Sequence, residues 1–400
     1  MKKILIVTGY LKVGGGAEKV AANLGNYLSD QGYETHLLTF YEVEHKYPYH
    51  GIYHSFNERV KTNRLAKIPQ IPIRIWRIYR YAKKHDIDTA YSFLEEANFY
   101  TLFAKLFFIR KLPVIASVRN NIHYRGRLFN TIAKYLYPRA EKIVAVTRAV
   151  EEILIEDFAL SNTTTIYNSL DLDLVEKKRA EALPAEYQWI AEHQGPVCIT
   201  IGRLTYQKAQ WRMIRAFAWL LDTHPDAVLI ILGEGELREA LEQLVRDLGV
   251  EERVFLIGNQ LNVYQFLNNA DLFIFSSLFE GMPNTMLEAL SLGLPIVSSD
   301  CVSGPREIIA PEIGVQETIA YPYYNQYGTL TERFGDERIF DALDATPLDQ
   351  REDQFAQAIS KHLASGFVKG DTYTAYQARA QDFSYYTIMQ EWEGLLNTKK

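Results

Sequence analysis

The sequence predicts an α/β protein with two doubly wound parallel-sheet domains that face each other across a cleft. A length of 400 residues is sufficient for two domains. Short apolar runs, typical of buried parallel strands, alternate with amphipathic segments of helical spacing. A charged, proline-containing run at 176–196 interrupts this alternation, which then resumes. We therefore predict a first domain over 1–180 and a second over 181–375, followed by a helical segment over 376–400.

The apolar runs give the predicted strands in chain order. They are 3–8, 35–40, 89–93, 113–118, 143–147, 164–168, 196–201, 227–232, 254–258, 271–276 and 295–299. Helical spacing of apolar residues predicts helices at 19–28, 98–108, 236–248, 286–292, 351–364 and 383–396. The polar stretch 41–58 is predicted to be a loop, and 311–350 has no regular pattern.

The composition is that of an ordinary globular protein, with 48% hydrophobic and 23% charged residues. Two cysteines, Cys198 and Cys301, provide no disulfide framework, which fits a reducing cytoplasm. We identify no signal peptide at the start and no apolar stretch long enough to span a bilayer.

The net charge of −6 conceals an asymmetry between the two halves. Residues 1–180 carry a net charge of +9 and residues 181–400 a net charge of −15, which indicates that the first half faces an anionic surface.

The stretch 59–85 contains nine Lys or Arg and no acid, and Ile73 and Trp76 alternate with its basic residues. This pattern fits a helix at a lipid interface, or a packed helix with a solvated basic face. Nucleic acid is a third possibility, which the acidic second half disfavours.

One candidate site lies where the strand at 271–276 meets the helix at 286–292. Glu280 precedes this helix and Glu288 lies within its first turns, so the two carboxylates would bracket a small cleft. Asn284 is predicted to be the N-cap, and the first N–H groups of the helix, near Thr285, would favour a diphosphate. Carboxylates for hydroxyl groups and N–H groups for phosphate suit a nucleotide sugar. The alternative is a helix start with two ordinary surface glutamates.

A second candidate motif follows the strand at 196–201, in the sequence from Gly202 to Lys208. Gly202 turns the chain, and both Arg203 and Lys208 can reach a diphosphate.

A third motif follows the first strand, where Gly15 and Gly16 precede a helix and allow a ligand to approach the backbone. It does not match the G-x-G-x-x-G pattern, so the sequence does not support a nicotinamide dinucleotide site.

Together, these motifs resemble the retaining family 4 glycosyltransferases. The resemblance is carried by the frame Phe-Glu-Gly-Met-Pro-Asn-Thr-x-Leu-Glu-Ala around Glu280 and Glu288, with seven residues between the two glutamates, and by Gly-Arg-Leu-x-x-x-Lys. It implies the GT-B fold, with two Rossmann-like domains and a last helix that crosses back to the first domain. Family members often have glycine where this chain has Ala209. Many have a histidine that faces the donor sugar where this chain has Arg119, with His123 a few residues later, and either Arg119 or His123 could take that place here.

The resemblance also implies roles for these residues. Glu280, Arg203 and Lys208 would be the catalytic residues, of which Arg203 and Lys208 hold the diphosphate. The remaining donor-binding residues would be Gly15, Gly16, Asn259, Asn284, Thr285 and Glu288, with Glu288 on the ribose and the turn at Asn259 near the base. No acidic D-x-D pattern lies near the motifs, so we expect no metal and no cofactor other than the donor substrate.

We therefore expect a transferase that uses a nucleoside-diphosphate sugar, most simply UDP-linked. Its acceptor would be a saccharide, linked to a lipid, and the enzyme would be cytoplasmic and peripheral on the inner face of the membrane. A sugar-nucleotide epimerase or a phosphorylase on the same fold is an alternative, although no motif for a pyridoxal phosphate lysine is found. A non-catalytic subunit that binds nucleotide sugars is another.

Overall fold

The computed structural model of the chain describes residues 1–59, 69–119, 126–301, 303–365 and 373–396. Contacts between residues divide it into two compact units. The first consists of Met1–Ser169 together with Tyr386–Lys400, and the second of Leu170–Tyr385.

The first unit is built around a parallel sheet. Its strands are β1 (Lys3–Thr8), β2 (Glu34–Thr39), β3 (Ile52–Ser55), β4 (Thr89–Phe93), β5 (Val114–Val118), β6 (Lys142–Ala145) and β7 (Thr163–Thr165). They follow the order β3-β2-β1-β4-β5-β6-β7. The order reverses between β1 and β4, as in doubly wound nucleotide-binding sheets, and ligands in such folds bind at the carboxyl ends of the strands near this switch point.

Five helices connect these strands: α1 (Gly16–Asp30), α2 (Gln70–Lys84), α3 (Glu95–Phe107), α4 (Arg127–Leu136) and α5 (Arg148–Glu156). The central strands are buried along their whole length because helices cover both faces of the sheet. The strand β3 occupies a stretch predicted to be loop. It is an edge strand whose residues are half-buried or exposed, so its sequence lacks the apolar run that marks a central strand.

Residues 60–68 of the predicted basic helix lie outside the described residues, and the described helix is α2. Its apolar side is divided: Ile75 and Ile78 are buried, whereas Ile73 and Trp76 are 50% and 45% exposed. Arg74, one of the nine basic residues of 59–85, does not lie on a solvated basic face. Arg74 is fully buried and pairs with Glu58 and Glu96.

The second unit repeats the design. Its strands are β8 (Val197–Ile201), β9 (Val228–Leu232), β10 (Val254–Gly258), β11 (Leu272–Phe275), β12 (Ile296–Ser299), β13 (Tyr323–Asn325) and β14 (Gly328–Thr331). They follow the order β10-β9-β8-β11-β12-β14-β13, and β13 is antiparallel to β14. The hairpin β13–β14 lies within 311–350, a stretch with no regular sequence pattern.

The helices of the second unit are α6 (Leu172–Arg179), α7 (Trp189–Glu192), α8 (Gln210–Leu220), α9 (Arg238–Asp247), α10 (Tyr264–Asn268), α11 (Asn284–Ser291), α12 (Pro305–Ile309), α13 (Gln350–Ala364) and α14 (Tyr373–Gln381). The division of the chain after Ser169 differs from the predicted boundary at 180. The reason is that α6 packs on α10 and α11 and therefore belongs to the second unit.

The last helix, α15 (Tyr385–Gly394), contributes most of its residues to the first unit. Trp392 is fully buried there against the rings of Tyr91 and Phe93. The hydroxyl of Tyr91 donates a hydrogen bond to the carbonyl oxygen of Trp392 at 2.9 Å. The helix α14 remains with the second unit, so the return to the first unit begins about ten residues later than the predicted start at 376.

Within the described residues, no helix is both long enough and apolar enough to cross a membrane.

Candidate active site

The candidate site lies in the second unit, where the loops after β8 and β11 meet at the carboxyl edge of the sheet. The loop after β8 is fixed by main-chain hydrogen bonds: Gly202 N–H donates to Leu232 O at 2.9 Å, and Leu204 N–H donates to Glu234 O at 3.0 Å. Gly233 has a φ of +141° and lies so close to the carbonyl of Gly202 that a Cβ would collide with it. Glycine is therefore required at 233 by both conformation and space.

Ala209 ends this loop in a left-handed conformation, with φ 47° and ψ 39°, and α8 begins at the next residue. This conformation is unfavourable for residues with a Cβ, which explains why glycine suits this position in the resembling family. Immediately before it, the carbonyl oxygen of Lys208 accepts a hydrogen bond from Ser276 Oγ at 2.8 Å. The lysine is thereby anchored to the end of β11.

The loop after β11 is joined directly to the loop after β8. Leu278 N–H donates to the carbonyl oxygen of Gln207 at 2.8 Å, and Gln207 Nε2 donates to Phe279 O at 2.8 Å. Sequence reasoning missed Gln207, which fills a variable position of its motif. The two motifs, more than seventy residues apart in sequence, form one hydrogen-bonded structure.

A third loop, after β12, supports the same region. Ser303 Oγ donates a hydrogen bond to the carbonyl oxygen of Glu280 at 2.5 Å. Gly304 has a φ of +93°, and a Cβ there would lie 2.5 Å from Pro283 Cδ and 2.7 Å from Gly281 O. The contact of Gly304 with the loop that holds Glu280 depends on long-range packing, so no local sequence pattern predicts it.

Lys208 and Glu280 form an ion pair, with 2.6 Å between Lys208 Nζ and Glu280 Oε1. Their side chains are 15% and 9% exposed. Lys208 Nζ also lies 5.0 Å from the centroid of the Phe275 ring. Such a partly buried pair interacts more strongly than a surface pair because less water screens it.

Glu288 lies within α11 and is also largely buried, with 9% of its surface exposed. The hydroxyl of Tyr264 lies 3.4 Å from Glu288 Oε1 and donates to it.

The prediction that Asn284 is the N-cap is wrong. Pro283 occupies the N-cap position in an extended conformation and makes no side-chain cap, so Asn284 and Thr285 are the first two helical residues. The N-cap residue of α11 therefore makes no side-chain hydrogen bond to the first N–H groups of the helix.

Arg203 and Asn259 are the exposed members of the predicted set in this unit. Arg203 follows β8 directly, and its carbonyl oxygen accepts a hydrogen bond from Gln210 Nε2 at 3.0 Å. Asn259 follows β10. Both are at the carboxyl edge of the sheet, which also bears Lys208 and Glu280.

The other predicted residues belong to the first unit. Gly15 is the N-cap of α1 and Gly16 its first residue. A Cβ on Gly15 would collide with the carboxylate of Glu18, whose pKa is raised by burial. Arg119 follows β5 and is buried, whereas His123 lies outside the described residues.

In the ranges that the structure describes, no group of three or more His, Cys, Asp or Glu could hold a metal ion.

Comparison with known proteins shows the family to which the chain belongs. Residues 14–174 match the family model described as Glycosyltransferase Family 4, and residues 187–326 match Glycosyl transferases group 1. The "Uncharacterized glycosyltransferase MJ1059" of Methanocaldococcus jannaschii is 36% identical over 382 residues, 92% of this chain and 93% of that protein. A Campylobacter jejuni relative, N-acetylgalactosamine-N,N'-diacetylbacillosaminyl-diphospho-undecaprenol 4-alpha-N-acetylgalactosaminyltransferase, is 29% identical over 74% of this chain and 81% of its own.

Solved structures show the same fold. The Anabaena protein Alr3699/HepE in complex with UDP superimposes with a TM-score of 0.75 at 19% identity, over 100% of both chains. The galactosyltransferase WaaB of the lipopolysaccharide outer core superimposes with a TM-score of 0.69 at 18% identity, again over 100% of both chains.

The two Rossmann-like sheets are those of the GT-B fold, which glycosyltransferases adopt. The chain belongs to the glycosyltransferases whose members carry the family 4 and group 1 domains.

Proposed function

We propose that this protein is a retaining, metal-independent glycosyltransferase. It would move a hexose or N-acetylhexosamine from a UDP-sugar to a saccharide acceptor. The observation that carries the proposal is the ion pair between Lys208 and Glu280, held beside the start of α11 by hydrogen bonds between two loops. A cation for phosphate, a carboxylate for sugar hydroxyls and the N–H groups at a helix start are the chemical groups that a nucleotide sugar requires.

In this proposal each group has a separate role. Arg203 and Lys208 bind the diphosphate and stabilise the negative charge that grows on it as the sugar departs. Glu280 orients the donor sugar, and Glu288 binds the ribose hydroxyls. Asn259, Asn284 and Thr285 complete the donor site of the second unit, and we assign Gly15 and Gly16 to donor binding as well. Because two side-chain cations and a helix start supply positive charge, we propose that the reaction needs no metal.

The donor and acceptor classes are suggested by the relatives. The Anabaena protein was solved with UDP and with UDP-glucose. The Campylobacter relative, by its name, transfers N-acetylgalactosamine to a saccharide on diphospho-undecaprenol. We therefore propose a UDP-sugar donor and a lipid-linked saccharide acceptor in the synthesis of a cell-surface polysaccharide.

A lipid-linked acceptor requires contact with a membrane, which we assign to α2. Ile73 and Trp76 are half exposed on this helix, and the guanidinium of Arg80 lies 4.7 Å from the Trp76 ring centroid. Lys83 and Lys84 lie in the last turn. An anionic leaflet attracts such cations, while half-exposed apolar side chains insert at the interface. We propose a peripheral position on the cytoplasmic face of the membrane.

Donor hydrolysis by the purified chain tests the transferase proposal. Many transferases release sugar slowly to water, so incubation with a panel of UDP-sugars should yield UDP from one or a few of them. The Glu280→Ala variant provides the control. Binding of UDP without UDP release, with any donor or acceptor, would favour a non-catalytic subunit and contradict the proposal.

A further inference from the structure

Arg119 is a buried arginine at the end of β5, with 6% of its surface exposed. Its guanidinium donates to Asn168 Oδ1 and lies 3.5 Å from Ser117 Oγ. Both partners are neutral.

No described carboxylate forms an ion pair with Arg119. Burial alone lowers its pKa, to about 9. The following residues 120–125, Asn-Asn-Ile-His-Tyr-Arg, contain no acid. A buried charge without an opposite charge is strongly unfavourable, so this guanidinium has unused capacity for an anion.

The other buried arginines of the described chain differ in this respect. Arg74 pairs with Glu58 and Glu96. Arg212 and Arg215 both pair with the fully buried Glu352. The fold thus provides carboxylates for three buried guanidinium groups and neutral partners for the fourth.

The surroundings of Arg119 show further features of a binding site. Ser169, next to Asn168, is 7% exposed, and its Oγ has no hydrogen-bond partner among the described residues. Leu94, which follows β4, has φ 69° and ψ 159°, a conformation that residues other than glycine rarely adopt and that is concentrated at functional sites. Its N–H donates to Ser117 O at 3.3 Å. Leu94 and Arg119 directly follow the neighbouring strands β4 and β5 at the carboxyl edge of the first sheet, and β4 borders its switch point.

We propose that Arg119 is a specificity-determining residue that binds an oxyanion, a carboxylate or a phosphate, on the saccharide received by the first unit. The guanidinium is planar and can bind such a group through two parallel hydrogen bonds. Ser169 Oγ can donate a third. The inference rests on the proposed function in that the first unit receives the acceptor.

Calorimetric titration of the whole chain, without donor, tests this inference. The probes are methyl β-glucuronide, which carries a carboxylate, glucose 1-phosphate, which carries a phosphate, and methyl β-glucoside, which is neutral. We expect one anionic sugar to bind at least about tenfold more tightly than the neutral one, since hydrogen bonds to charged groups are the strong ones. The preferred anionic probe identifies the source of the oxyanion. Equal binding of all three, or no binding, would overturn the proposal.

Four variants distinguish binding from a structural role. Arg119→Gln should remove the preference, and Arg119→Lys should retain part of it because the charge remains without the planar fork. Arg110→Gln removes an exposed charge of the same unit and should change nothing. Asn168→Asp should supply an internal carboxylate, which would abolish anion binding and raise the melting temperature. If Arg119→Gln does not fold, Asn168→Asp decides: anion binding as in the wild type, or a lower melting temperature, would contradict the proposal.

These measurements are independent of catalysis. If the chain proves unable to turn over any donor, the proposed function fails, yet the anion preference can still be present. If donor turnover is normal and the anion preference is absent, the inference about Arg119 fails alone.

Discussion

Nζ of Lys208 lies 2.6 Å from Oε1 of Glu280, and this contact joins the two sequence motifs that matter most. The residues are 72 positions apart, but the carboxyl ends of parallel strands share one edge of a sheet. Removing either partner leaves the other largely buried without its opposite charge. Substitutions at the two positions are therefore expected to be non-additive.

We predict that Lys208→Ala and Arg203→Ala each reduce kcat on the order of 10²-fold, since one contact to developing charge is typically worth this much. Steady-state UDP release would measure the effect. Arg246→Ala, which removes an exposed arginine of the same unit, is the matched control. Wild-type rates in a folded Arg203→Ala/Lys208→Ala double variant would rule out the assigned role.

Glu280→Ala and Glu288→Ala should differ in kind. Glu280 is proposed to contact the sugar, where charge changes during the reaction, so its loss should lower kcat. Glu288 is proposed to contact the ribose, whose surroundings stay nearly constant, so its loss should mainly raise KM. Kinetics over a range of donor concentration separate the two effects. A kcat defect confined to Glu288→Ala would show that the roles are reversed.

Gly304→Ala should impair catalysis through the glutamate loop. Its Cβ would meet Pro283 and the carbonyl of Gly281, which displaces the segment that holds Glu280. We expect kcat to fall on the order of 10²-fold, as for other small displacements of catalytic groups. Gly249→Ala is the control, since Gly249 also has a positive φ of 67° but has no atom within 4 Å of a Cβ. Equal activity in the two variants would argue against the contact as the cause.

The sequence predicted the parts of the fold that are set by local pattern. The run at 89–93 coincides with β4 because a strand buried on both faces requires consecutive apolar residues. The edge strand β3 was missed because Ile52–Ser55 is only partly buried. The hairpin β13–β14 was missed because its first strand, Tyr323–Asn325, is polar and partly exposed.

The candidate site was predictable in its residue types but less so in its contacts. The Glu280 and Lys208 motifs were visible, whereas their direct pairing depends on long-range packing. The assignment of Asn284 as N-cap followed from its side chain, but Pro283 takes that position with an extended ψ of 101°. Arg74 appeared to be one of several surface cations because its partner Glu96 is 22 residues away.

The buried ion pairs of the second unit provide a prediction about stability. Glu352 is fully buried and contacts Arg212 at 3.3 Å and Arg215 at 3.1 Å. Glu352→Gln should lower the free energy of unfolding by about 3–5 kcal/mol, because the buried guanidinium groups of Arg212 and Arg215 lose the negative charge of Glu352. Glu337 contacts the same Arg212 but is 75% exposed, and Glu337→Gln should have an effect of about 1 kcal/mol or less. Urea denaturation of the two variants compares them, and equal losses would contradict the burial argument.

Membrane contact through α2 is tested by vesicle flotation. The protein should float with anionic vesicles at low salt and less at high salt, since salt screens the attraction of the basic residues. A variant with Ile73→Gln and Trp76→Gln should float less still. Leu261→Gln removes an exposed apolar residue of the second unit and should float like the wild type. Absence of flotation at low salt, with protein that is active on a soluble acceptor, would refute the membrane assignment alone.

The central claim is that this chain transfers sugar from a UDP-sugar with retention of configuration and that Glu280 is required for it. The direct test is proton NMR of the product formed from the accepted α-linked UDP-sugar, recorded before the anomers equilibrate. The account predicts an α-glycosidic product in the wild type and none with Glu280→Ala. A β-linked product, or undiminished transfer by the folded Glu280→Ala variant, would contradict it.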